Sequence, residues 1–146
     1  MNELDINSAV ARQVLTGFIR SEITRMGFER AVIGLSGGID SALSCYLAAE
    51  ALGPQNVLAV RMPYRSSSAD SLEHAQWVID ALGVQSLTVE ITDMVEPLFE
   101  RFADMNAMRK GNIMARQRMI VLYDQSAAFN GLVVGTGNKT EILLGY

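Results

Sequence analysis

Four short strand-like segments punctuate the chain, at residues 31–35, 57–62, 86–90 and 132–134. The first, Ala31-Val32-Ile33-Gly34-Leu35, carries no charge and runs straight into a Ser-Gly-Gly turn. The apolar stretches at 31–35 and 57–62 predict buried strands, as in a parallel sheet, and 86–90 and 132–134 predict a third and a fourth strand. Between them the apolar period lengthens to that of a helix. Val10, Val14 and Phe18 (with Leu15 beside it), then Ile23 and Met26, predict a core-covering helix over 7–26, capped by Asn7 or Ser8 and stopped at Gly27. Residues 42–52 are rich in helix formers and end at Gly53-Pro54. Over 68–82, Leu72, Ala75, Val78, Ile79 and Leu82 share a face, Asp70 and Glu73 suit the first turns, and Trp77 is placed at the sheet edge.

A short helix over 94–102 is capped by Asp93, with Pro97 tolerable only near its start. Residues 105–110 read as a loop, and Gly111-Asn112 opens a long helix to Phe129, closed by Asn130-Gly131. On it Ile113, Ile120 and Tyr123 share a face with Arg116, which predicts a partly buried arginine needing an anionic partner. Strands alternating with helices give a doubly wound α/β fold: a parallel sheet with helices on both faces, in one domain of 146 residues.

Composition narrows the function classes. With 49% hydrophobic residues a sizeable core is possible, yet no run of 18 apolar residues predicts a membrane span. The start of the chain lacks a signal-peptide pattern. Cys45, the single cysteine, cannot form an internal disulfide, so a reduced cytoplasm is the default. A net charge of −4 gives no general attraction to nucleic acid or an anionic membrane. Against that background Arg109, Lys110, Arg116 and Arg118 gather without an acidic neighbour between 105 and 123. Local excess of one sign in an acidic chain points to an anion site.

The candidate chemistry concentrates in Ser36-Gly37-Gly38-Ile39-Asp40-Ser41, between a strand end and a helix start. Ligands bind at such positions in open α/β sheets. Adjacent glycines allow a sharp turn and close ligand approach, and free N–H groups at a helix start favour an anion. Asp40 would repel a phosphate unless a hard cation such as Mg²⁺ lay between them. The loop is neither a Walker A sequence nor the Gly-x-Gly-x-x-Gly fingerprint. Gly34-Leu35-Ser36-Gly37-Gly38 does match a hydrolase nucleophile elbow, and a ligand-free βα turn is the plain alternative. Arg61, ending the second strand, is expected in the same crevice. Near the fourth strand, Gly135-Thr136-Gly137-Asn138-Lys139-Thr140-Glu141 repeats the pattern, with Glu141 a second ion ligand, a first-turn residue of a helix capped by Thr140 or Asn138, or both at once. His74 reads as a surface or capping residue.

The hexapeptide resembles the phosphate loop of the ATP pyrophosphatase (PP-loop) superfamily. Together with Arg61-Met62-Pro63-Tyr64, the stretch 109–119 and the stretch 135–146, the chain resembles NAD synthetases of the ammonia-dependent type from about residue 10 onward. That resemblance implies ATP-dependent amidation of deamido-NAD by ammonia through an adenylate, giving NAD, AMP and pyrophosphate. It implies ATP contacts at Gly34, Leu35, Ser36, Gly37, Gly38, Ile39, Asp40, Ser41, Arg61 and Thr136. Asn112, Arg116 and Tyr123 would hold deamido-NAD, and Asp40 and Glu141 would bind Mg²⁺, in a homodimer with no protein nucleophile. Family members continue past Tyr146, so the chain is expected to be an amino-terminal portion, poorly active alone, that ends within an uncapped helix. The competing readings are a GMP synthetase-like ligase of the same superfamily, a serine hydrolase using Ser36 and His74, and a non-catalytic nucleotide-binding fragment.

Overall fold

The structure is a computed structural model and describes residues 6–145. Its centre is the strand pair β1 (Ala31–Gly34) and β2 (Val57–Arg61), parallel and in register from Ala31↔Val57 to Gly34↔Val60. Strand β3 (Gln85–Thr88) lies outside β2, and β4 (Leu132–Val133) lies on the other side of β1, so the order is β3-β2-β1-β4, all parallel. This is the doubly wound α/β architecture.

Alternation of side chains splits the sheet into two apolar layers. Ile33, Val57 and Ala59 face Cys45, Ala48 and Ala49 of helix α2 (Ile39–Leu52) and Ala75 and Ile79 of α3 (Ala69–Leu82). Val32, Leu58 and Val60 face Val121, with Leu122 and Phe129 beside it, on α5 (Ala107–Phe129). Residues 31–33 and 57–60 are buried whichever way they point, which is why their sequence shows no alternation.

Helix α1 (Ser8–Arg25) is capped by Asn7 as expected, but it covers little core. Ile23 alone is buried, while Val10, Val14, Leu15 and Phe18 are exposed. The helix leans on α2 through Arg20 Nε, which donates to the Ala51 carbonyl, and an Arg12–Glu50 ion pair. Helix α4 (Thr92–Arg101) begins after Ile91 rather than Asp93, with no side-chain cap, and contains Pro97 beyond its first turn. The ring there removes one helical hydrogen bond.

Helix α5 starts earlier than the sequence suggests. Asn106 caps it by accepting from the Arg109 N–H, so Arg109 and Lys110 are helical and Gly111 is interior. Arg116 is exposed and donates to the Asn112 carbonyl, not to an anion. Its expected companions Ile120 and Tyr123 are also exposed, because α5 turns Val121 and Leu122 to the sheet. Trp77 is 58% exposed and stacks on His74 instead of the sheet edge. Helix α6 (Lys139–Leu143) closes with Leu144, followed by Gly145 at φ 72°, so this helix has a glycine stop. Among the described residues no helix is long and apolar enough to cross a membrane.

Cys45 is fully buried, and burial pushes its thiol up to about 11. The unfolded chain loses this proton near 9.0 while the folded chain keeps it. Stability from this group is therefore complete below that pH and is lost on going from 9.0 towards 11, at up to about 1.4 kcal/mol per pH unit. Urea unfolding at pH 8 and pH 10.5 should show a larger loss for the parent chain than for Cys45→Ala. An equal loss would contradict the burial argument.

Candidate active site

The sheet order fixes where a site can form. From β1 the chain crosses to β2 and β3 on one side, and α5 then returns it to β4 on the other. Loops leaving β1 and β4 therefore diverge at their carboxyl ends and leave a crevice. The glycine-rich segments 36–38 and 135–137 lie at these ends.

The first loop is shaped by its own hydroxyls. Ser41, 4% exposed, donates from Oγ to the Gly38 carbonyl (2.9 Å), accepts from the Ser36 N–H (3.2 Å) and meets Ser36 Oγ at 3.1 Å. Ser36 Oγ also accepts from the Gly38 N–H. Gly37 has φ 84°, and a β-carbon there would lie 2.1 Å from the Ser71 carbonyl oxygen. The loop backbone thus presses on the start of α3. Gly38 begins α2 without a side-chain cap, leaving the first-turn N–H groups available to an anion.

A cleft of about 440 Å³ opens beside this loop. Gly34, Leu35 and Ser36 line it from β1, Arg61, Met62 and Pro63 from β2, and Thr136 from β4. The far wall is Ser67, Ser68, Ser71 and Leu72 at the start of α3, with Arg118 and Leu122 from α5. Arg61 Nη1 donates to Gln76 Oε1 at 2.6 Å. Arg118 Nε donates to the Met62 carbonyl at 3.0 Å, and partial burial lowers its pKa from the usual arginine value. Guanidinium groups stay charged despite such shifts, so two cations face a cleft with hydroxyls on its walls.

A second, open depression is lined by Asp40, Asn138, Lys139, Thr140, Glu141 and Leu144. Asn138 joins its two carboxylates. Its Nδ2 donates to Asp40 Oδ2 (3.3 Å), and its N–H donates to Glu141 Oε2 (3.0 Å) in a capping box at the start of α6. The helix-start reading of Glu141 is thus correct, with Asn138 rather than Thr140 as cap. Among the described residues no group of three or more His, Cys, Asp or Glu gathers.

Ser36, Arg61 and Thr136 come together in the cleft, and Asp40 and Glu141 in the depression. Ile39 is exposed at the start of α2. Asn112, Arg116 and Tyr123 line neither space and lie on the exposed face of α5. The basic stretch does not converge either. Arg109 pairs with Asp104, Lys110 lies over the Phe99 ring, and only Arg118 reaches the cleft. Arg118 belongs to the basic group expected to form an anion site, but which member reaches the cleft depends on how α5 is rotated. Ser67, Ser68 and Ser71 carried no signal beyond a serine run. Ser36 finds hydroxyl and backbone partners rather than an imidazole, and exposed His74 lies against Trp77, so among the described residues no imidazole serves Ser36 as a hydrolase base.

These features define a doubly wound α/β protein with a glycine-rich loop and free helix N–H groups at its switch point. The NAD synthase family model matches residues 11–146. The chain is 58% identical to an NH₃-dependent NAD⁺ synthetase of Trichlorobacter lovleyi over all of its own length and 54% of that protein's. Its structure matches an NH₃-dependent NAD synthetase from Campylobacter jejuni, in complex with the nitrate ion, at a TM-score of 0.91 and 36% identity, covering 97% of this chain and 62% of that one. It matches an NMN synthetase from Francisella tularensis at 0.89 and 30% identity, covering 97% and 59%. The chain belongs to the NAD synthase family and spans about half the length of the curated relatives it matches.

Proposed function

We propose that the protein takes part in ATP-dependent amidation of deamido-NAD by ammonia, yielding NAD, AMP and pyrophosphate. One observation carries this: an anion loop, two guanidinium groups and a paired-carboxylate depression adjoin a single switch point. A nicotinate carboxylate oxygen attacks the α-phosphorus and pyrophosphate leaves. Ammonia then attacks the acyl carbon, and AMP leaves. The reaction needs no protein nucleophile. The segment 34–41, with Arg61 and Thr136, holds ATP. The loop N–H groups oppose the charge that grows on the departing pyrophosphate, and Ser41 keeps the loop in shape.

The depression suits Mg²⁺ by its chemistry, offering hard carboxylate oxygens and no sulfur or imidazole. Asp40 and Glu141 would hold the ion, and substrate phosphates and water would complete its shell. When bound it supplies charge neutralisation at the phosphates. Asn112, Arg116 and Tyr123 hold deamido-NAD. Their exposed face, with Ile120, and the bare apolar side of α1 support a homodimer that covers them. One buried thiol and no pairing partner suit the reducing cytoplasm.

Calorimetry with Mg²⁺-ATP and deamido-NAD tests the assignment. Arg116→Ala should weaken deamido-NAD about tenfold, the order expected for losing one charged hydrogen-bond partner, and leave ATP unchanged. Affinity for neither ligand would remove the proposal. Nicotinate mononucleotide bound in place of deamido-NAD would move the substrate to that of the mononucleotide-forming neighbour.

A further inference from the structure

Arg61 is an arginine held from one side. Among the described residues, its only side-chain hydrogen bond is from Nη1 to Gln76 Oε1, at 2.6 Å, and its buried Nε has no partner. A guanidinium choosing its own position would not leave a buried donor unmatched. Something else fixes it, and the neighbouring bonds show what.

Gln76 sits on α3, half-buried, one turn before Asp80. Its Nε2 donates to Asp80 Oδ1 at 2.7 Å. A carboxylate only accepts, so the amide nitrogen must face Asp80 and the amide oxygen must face Arg61. The flipped amide would oppose donor to donor at one end and acceptor to acceptor at the other. Asp80 therefore sets the amide, and the amide sets the guanidinium at the cleft wall.

We propose that Gln76 is a positioning residue for nucleotide binding: oriented by Asp80, it holds Arg61 at the cleft in advance of the ligand. This rests on the reading of the cleft as an ATP site. A long flexible cation that must order itself on binding loses affinity, and Gln76 removes that loss beforehand. Gln76 itself does not touch the ligand in this arrangement. The anion loop at 36–41 is a separate support, so a bare polyphosphate should not sense Gln76.

The test is a set of calorimetric titrations with Mg²⁺-ATP and with magnesium pyrophosphate. Gln76→Leu should weaken ATP about tenfold, the order expected for ordering one arginine and its contacts. Pyrophosphate affinity should stay unchanged. Gln76→Glu combined with Asp80→Asn, which keeps an acceptor for Arg61 and a donor–acceptor pair between positions 76 and 80, should recover most of the ATP affinity. In an Arg61→Ala background, Gln76→Leu should have no further effect, because the partner it positions is gone. Unchanged ATP affinity in Gln76→Leu, or the same loss with Arg61 absent, overturns the positioning role while leaving the ATP site in place. Equal weakening of pyrophosphate also overturns it, since that is general damage to the fold. A parent chain without ATP affinity overturns the site reading and this role together.

Discussion

Gly37→Ala should remove nucleotide binding and weaken the fold. At φ 84° an alanine is strained, and its methyl would lie 2.1 Å from the Ser71 carbonyl oxygen. That neighbour is backbone in the first turn of α3, which cannot swing aside like a flexible side chain. Either the loop lifts away from α3 or α3 moves from the sheet. Backbone strain and overpacking together cost about 3 kcal/mol or more. Gly38 is the control. Its φ is −80°, and the nearest atom to an added β-carbon is Ser36 Oγ at 3.4 Å. Gly38→Ala should therefore change the urea midpoint little, apart from a modest loss of helix-capping preference. Comparable midpoints and Mg²⁺-ATP affinities for the two variants would refute this account of the loop.

Asp40→Asn should divide the behaviour of ATP by the presence of metal. The side chain keeps its size, sits exposed at the start of α2, and still presents an oxygen to the Asn138 amide. Its charge is lost. In chelator, where the parent carboxylate only repels phosphate, the variant should bind ATP as tightly as the parent or tighter. In millimolar Mg²⁺ it should bind ATP about ten- to a hundredfold more weakly, because one of two carboxylates offered to the ion is gone. Crossing affinities would separate a metal-mediated role from a purely structural one. Parallel losses in both conditions would leave Asp40 a loop-shaping residue and remove magnesium from its role.

The central strands and the loop were legible because their sequence signals arise locally. Val32, Ile33, Val57 and Val60 are buried on one face or the other, so burial itself writes an unbroken apolar run. The pair Gly37-Gly38 announces a turn that other residues would resist. Helix faces were harder to read. On α5, Ile113, Ile120 and Tyr123 suggested an inward stripe, yet the sheet receives Val121 and Leu122. Short apolar residues on several sides of a helix leave its rotation to tertiary packing. That misreading assigned partial burial to Arg116 and did not single out Arg118 from the basic group. Gly111 was read as a helix start although Asn106, a better cap, stands five residues earlier. Gln76 had no sequence signal at all: its importance lies in an amide orientation set by Asp80 and used by Arg61.

The Asn138 side chain meets Asp40 across 98 residues of chain. Strands β1, β2 and β3 can assemble through successive short crossovers, each closing a modest loop. The β4 end can join β1 only after α4 and α5 have returned the chain, and it then adds a two-residue strand. Contacts of such sequence separation are entropically expensive to close and form late. The two halves of the proposed phosphate site are therefore brought together only after β1, β2 and β3 have paired. A nascent or partly folded chain can hold β1, β2 and β3 and still offer no competent cleft, so the proposed nucleotide binding would report that β4 has joined β1.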